Sequence, residues 1–149
     1  MCDINFSKKT TDNVGYKVLA YKKGKYYSTF TGQRIKAGDV PLPPKQLNRL
    51  STIWSDDILR KNFSDSIYFD RNVVGFTSVF KDIKEAKYLK DLMTEEDDMN
   101  DYEIVVVKIK FADDSNNYLG KYNIDGIFIY FNADIIAGNK IKSIKQIKD

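Results

Sequence analysis

Residues 72–93 read NVVGFTSVFKDIKEAKYLKDLM, and their order of signals decides the fold class. Val73, Val74, Phe76, Val79 and Phe80 form a β-branched and aromatic run, with Gly75 where a bulge or a close backbone approach is tolerated. Asp82 then sits where an N-cap is needed, its carboxylate able to accept from an N–H of the first helical turn. Glu85, three positions on, completes an approximate capping box. Ile83, Ala86, Leu89 or the stem of Lys90, and Met93 recur at helical spacing and make one apolar stripe. A buried strand therefore delivers the chain into an amphipathic helix that packs back on a sheet.

Working outward, the segments on either side read mostly as strands. Residues 1–14 show no periodicity and are expected to form a mobile lead-in, leaving 15–149 as one α+β domain. From Gly15, YKVLAYKKGKYYSTF predicts a hairpin turning at Gly24, with Tyr16, Val18 and Ala20 on one face and Lys17, Leu19 and Tyr21 on the other. Pro41, Pro43 and Pro44 forbid a central strand, so the chain from Gly32 to this point is a connection. Leu47, Leu50, Trp54 and Ile58 lie near one helical face within 45–63, as one bent helix or two short ones. Residues 64–70 are a loop or an edge strand.

Beyond the opening stretch, TEEDDMND is a solvated acidic loop, and YEIVVVKIKF over 102–111 is the strongest strand signal in the chain. Val105, Val107, Ile109 and Phe111 face one way. Ile104 and Val106 face the other, where Lys108 and Lys110 continue towards solvent. Residues 112–123 read as a polar loop, 127–131 as a strand, and the tail as a strand with an irregularity after a turn at Gly138 and Asn139. The fold class is thus α+β: a mainly antiparallel sheet with two or three helices largely on one face.

Composition narrows the chemistry. The 149-residue chain is large enough for a core without disulfides or metal, and its lone cysteine, Cys2, offers neither a disulfide nor a thiolate cluster. With a polar N-terminus and no apolar run of membrane-spanning length, the expected place is the reducing cytoplasm, with no membrane partner. Histidine is absent, which removes Ser-His-Asp and Cys-His catalysis and most catalytic zinc sites. The acid pairs at 56–57, 97–98 and 113–114 are adjacent residues, which rarely converge on one ion, and no phosphate-binding glycine pattern occurs. Neither a metal nor a cofactor is expected, and no residue is assigned a catalytic role.

Charge is unevenly spread. Basic residues dominate up to Pro44, whereas Asp91, Glu95, Glu96, Asp97, Asp98 and Asp101 form a run without a base, which predicts two faces of different potential. The constellation with binding logic spans the first hairpin and the connection leaving it: Lys17, Tyr21, Lys22, Lys23, Lys25, Tyr26, Tyr27, Arg34 and Lys36. Aromatic rings on a basic sheet can stack bases while the cations meet phosphates. Against this stands the plainer account that these tyrosines are ordinary strand residues and the lysines guard a sheet edge.

The segments YKVLAYKKGKYYS, GFTSVFKDIKEAK, EIVVVKIKF and ADIIAGNKIKSIKQI together give the chain a resemblance to small uncharacterised proteins encoded by phages and other mobile elements. In that pattern a Gly-Phe-His segment opens the Glu-Ala helix; here Thr77 replaces the histidine. The resemblance implies an accessory factor and supplies no residue roles. The leading expectation is a non-catalytic intracellular binding protein that engages a host protein, including a defence component. The alternatives are single-stranded nucleic-acid binding through the first hairpin, and an atypical ADP-ribosyltransferase-like enzyme. For the last, Ser28 and Thr29 precede Arg34, and Glu95 and Glu96 are adjacent, so order and spacing both depart from the Arg, Ser-Thr-Ser, Glu-x-Glu pattern.

Overall fold

A computed structural model describes residues 2–42, 50–51, 75–96, 101–125 and 130–148. Their ten strands form one mainly antiparallel sheet: β1 (Cys2–Lys9), β2 (Val14–Lys22), β3 (Lys25–Ser28), β4 (Arg34–Ile35), β5 (Gly38–Asp39), β6 (Thr77–Phe80), β7 (Glu103–Phe111), β8 (Tyr118–Asp125), β9 (Tyr130–Gly138) and β10 (Lys140–Ile147). The order across the sheet is β1-β8-β9-β6-β2-β7-β10-β5, with β3 paired to β2 and β4 to β3. Among the described residues there is a single helix, α1 (Ile83–Glu96), where two or three are expected. The helical pattern of 45–63 falls outside the described residues except for Leu50 and Ser51, whose N–H groups bond the Thr29 carbonyl. The expectations for 64–70 and for the strand residues 72–74 also fall outside.

Two further expectations are corrected. Residues 2–9 are not a lead-in without partners, because β1 pairs antiparallel with β8 from Cys2↔Ile124 to Lys9↔Tyr118. The polar loop of 112–123 ends early: turn chemistry holds for 113–117, and β8 begins at Tyr118. Its cross-strand partner β9 supplies the bonds that local turn propensity in that stretch does not predict, with an unbroken register from Tyr118↔Ala137 to Asp125↔Tyr130.

The opening stretch folds as its spacing dictates. β6 pairs with β9, then Asp82 Oδ1 accepts from the Lys84 N–H at 2.9 Å and caps α1. Ala86, Leu89 and Met93 of α1 are buried against Val18, Phe80, Val106, Tyr122, Ala133 and Ile135, so the helix covers one face of the sheet. The opposite face carries a second core built from Leu19, Val79, Val105, Val107, Ile109, Phe111, Ile136 and Ile141. The alternation of β2 and β7 between these two cores is the physical content of their period-two pattern.

The inner core is enclosed by the chain's own connectivity. Asn139 alone separates β9, which pairs with β6 and β8, from β10, which pairs with β7 and β5. Five neighbours, β9-β6-β2-β7-β10, therefore form a path whose two ends are joined covalently, and the sheet curls around Phe111 and Ile136. The corner needs Gly138: a Cβ there would stand 2.6 Å from both the Phe111 ring and Asn117 Oδ1. Beside it Ser115 Oγ accepts from the N–H groups of Asn139 and Lys140, each at 3.1 Å, and donates to Asn117 Oδ1 at 2.7 Å. Buried Asn117 donates in turn to the Asp12 carbonyl at 3.1 Å, which ties this corner to the turn entering β2. The tail's expected irregularity is a register shift in β10 between Ile141 and Ser143.

Candidate nucleic-acid interface

β2 and β3 are joined by Lys23 and Gly24, both at positive φ (51° and 77°), the pattern of a type I′ turn whose twist matches the strands it joins. The two-residue loop fixes the register as Lys22↔Lys25, Tyr21↔Tyr26, Ala20↔Tyr27 and Leu19↔Ser28. β4 continues it with Tyr27↔Arg34 and Tyr26↔Ile35.

This register divides the candidate residues between two faces. Lys22, Lys25, Tyr27 and Arg34 share the helix-bearing face with Ala20. Tyr21 and Tyr26 belong to the inner face, where their rings meet at 5.3 Å and 52° and pack against the core that contains Ile35. Burial, and then the neighbouring Tyr21, push the Tyr26 phenol above its ordinary pKa. These two tyrosines are half-buried and pack against the inner core. Lys23 and Lys25 are exposed at the turn, and Arg34 and Lys36 are exposed on and after β4.

Lys17 belongs to the inner side as well and has a different role. Only Tyr16↔Phe80 pairs β2 with β6, whereas from Leu19 onward the same edge of β2 pairs with β3. The edge therefore forks at Lys17 and Val18, and Lys17 Nζ reaches into the fork to donate to the Ser78 carbonyl at 2.8 Å. Burial pushes this ammonium down to about 8. Lys17 fills a structural wedge and does not belong to an exposed basic surface.

Tyr102 completes the group on the helix-bearing face. Lys22 Nζ stands 5.1 Å from the centre of its ring, and Tyr27 meets it edge-on at 5.7 Å and 79°. Taken from sequence only as the start of a strand, Tyr102 is overlooked as a binding residue. The available signal is that period two from Ile104 places it on the face of Val106, and the hairpin neighbour follows from Tyr21↔Glu103. The same pairing places the neighbouring acid. Exposed Glu103 enters β7 opposite Tyr21, on the inner-face side, so it shares the hairpin's end of the sheet with the basic residues but not their face.

Of the residues invoked for an enzyme, Ser28 and Arg34 lie on opposite faces of the ribbon. Ser28 is buried, its Oγ accepts from the N–H groups of Phe30 and Thr31 at 3.1 Å each, and its register partner is Leu19 on the inner face. Arg34 pairs with Tyr27 and so lies on the other face. Of the acid pair at 113–114, Asp114 is held by Lys140 at 2.8 Å, a bond that lowers the carboxyl pKa and raises that of the ammonium. Among the described residues no helix is long and apolar enough to cross a membrane.

No protein-family model, curated protein or solved structure matches this chain.

Proposed function

We propose that this protein is a binding module for single-stranded nucleic acid, and that the contact surface is the helix-bearing face of the β2–β3–β4 ribbon. The observation that carries this reading is the register, which gathers Lys22, Lys25, Tyr27 and Arg34 on one face and adds the Tyr102 ring. Half-buried rings beside the half-buried Lys22 and the exposed Lys25 and Arg34 supply base stacking and phosphate contact together, without sequence readout. Binding of a fluorescent oligothymidylate should weaken steeply as salt rises, because displaced counterions return to the strand. Lys22→Glu with Lys25→Glu should reduce affinity at low salt by at least tenfold, measured by anisotropy. Unchanged affinity in that double variant would remove the hairpin from consideration.

One observation favours a second reading. Exposed Glu103 stands at the hairpin's end of the sheet on the face opposite Lys22 and Lys25, and an end that carries both signs suits a protein partner better than a polyanion. The resemblance to mobile-element proteins makes a host protein, including a defence component, the natural candidate. In that case the wild-type chain leaves the oligonucleotide free at low salt and is retained by a host protein, with retention lost on Tyr102→Ala.

A further inference from the structure

Beyond the hairpin, the same sheet face carries a second concentration of positive charge. The register places Tyr16, Lys108 and Lys145 in one row across β2, β7 and β10, with Val14, Lys110 and Ser143 in the next. Lys108, Lys110, Ser143 and Lys145 are exposed, while Val18, Val106 and Ile147 in the preceding row pack into the core beneath α1. None of the three lysines forms an ion pair with a carboxylate of the described residues. Lys108 and Lys145 are direct cross-strand partners, an arrangement of like charges that destabilises a sheet.

We propose that Lys108, Lys110 and Lys145, with the Ser143 hydroxyl, form a phosphate-tracking site for the backbone of a single-stranded nucleic acid. This identification of the ligand rests on the hairpin reading above, since both groups stand on the helix-bearing face of the sheet, the tyrosines at one end and the lysines at the other, with α1 over the rows between. Neighbouring lysines are separated by one cross-strand step of about 5 Å or by two residues along a strand, about 7 Å. Such spacing is comparable to that of consecutive phosphates in an extended strand. The cost of the Lys108–Lys145 repulsion is then removed on binding, when phosphate stands between the two ammonium groups.

The test uses the full chain and a labelled oligothymidylate, titrated by anisotropy over a range of salt concentrations. Three chains are compared: the wild type, a Lys108→Gln, Lys110→Gln, Lys145→Gln variant, and the Lys22→Glu, Lys25→Glu variant. Loss of three phosphate contacts should lower the slope of log affinity against log salt by about 2 in the glutamine variant. That variant should also melt no lower than the wild type, since it relieves like-charge repulsion, so weak binding will not reflect misfolding. If the hairpin variant loses binding while the glutamine variant keeps both affinity and slope, the phosphate site is overturned and the hairpin reading stands. If only the glutamine variant loses binding, the phosphate site stands and the hairpin reading falls. A wild-type chain that leaves the probe free at low salt overturns both. Polyglutamate that displaces the probe at equal charge concentration, with loss of that displacement in the glutamine variant, would assign the lysines to an acidic peptide instead.

Discussion

Lys17 shows how a single residue couples charge to folding. The unfolded chain keeps this proton up to the ordinary value of 10.5, whereas the folded chain releases it from about 8. Between those values the unfolded state binds more protons, so stability should rise with pH through that window, by on the order of 3 kcal/mol. Lys17→Met should remove this increment, which is read by comparing urea midpoints of both chains from pH 7.5 to 10.5. Parallel midpoints in the two chains would show that the ammonium is solvated. Gly138 is the complementary case, where the constraint is space. Gly138→Ala forces a methyl against Phe111 and Asn117 and should cost about 1–3 kcal/mol, visible as a lower thermal midpoint. An unshifted midpoint would mean that the corner relaxes without cost.

At the scale of the element, α1 was legible because capping and periodicity agree. Asp82 accepts from Lys84 as a cap should, although the Glu85 carboxylate does not return the bond to the Asp82 N–H, so only half of the expected capping box forms. Asp82→Ala should therefore cost about 1 kcal/mol in a denaturant titration, with Asp82→Asn nearly neutral. Equal losses in the two variants would point to charge, acting on the helix dipole, as the effect that matters. The β2–β3 hairpin was equally readable from Gly24 and the alternation around it. β1 was not recognised because the alternation of Cys2, Ile4 and Phe6 with polar residues is short and breaks off at the register shift between Phe6 and Lys8, too brief to register as a period. β8 was hidden by the run of turn-forming residues before it, and by Gly120 within it.

For the molecule as a whole, topology sets which parts open first. β7 is paired on both edges, to β2 and β10, and contributes Val105, Val107, Ile109 and Phe111 to the inner core. Its amides should exchange with solvent most slowly, while those of β1 and β5, each at an end of the sheet order, exchange first. Fast exchange in β7 alongside protection in β1 would contradict this order of pairing. Of the nine residues singled out from sequence for binding, Lys22, Lys25, Tyr27 and Arg34 share one face of the ribbon, and Lys23 and Lys36 lie exposed near it. Tyr21, Tyr26 and Lys17 serve the interior. Period two told which of them alternate, but with an apolar core on each face it could not tell which side remains open.

What the sequence determined by itself is local: the strand–cap–helix order ending at Met93, the hairpin turn at Gly24, the strand of 102–111 and the turn before β10. Each follows from short-range sterics, capping hydrogen bonds or side-chain period, all encoded within a few residues. Tertiary structure alone decided that β2 forks between β6 and β3, that Asn139 closes the sheet around a second core, and that Tyr102 joins Lys22 and Tyr27. These depend on which strands become neighbours. Pairing partners are chosen by the burial of two whole apolar faces, a quantity that no single stretch of the chain contains.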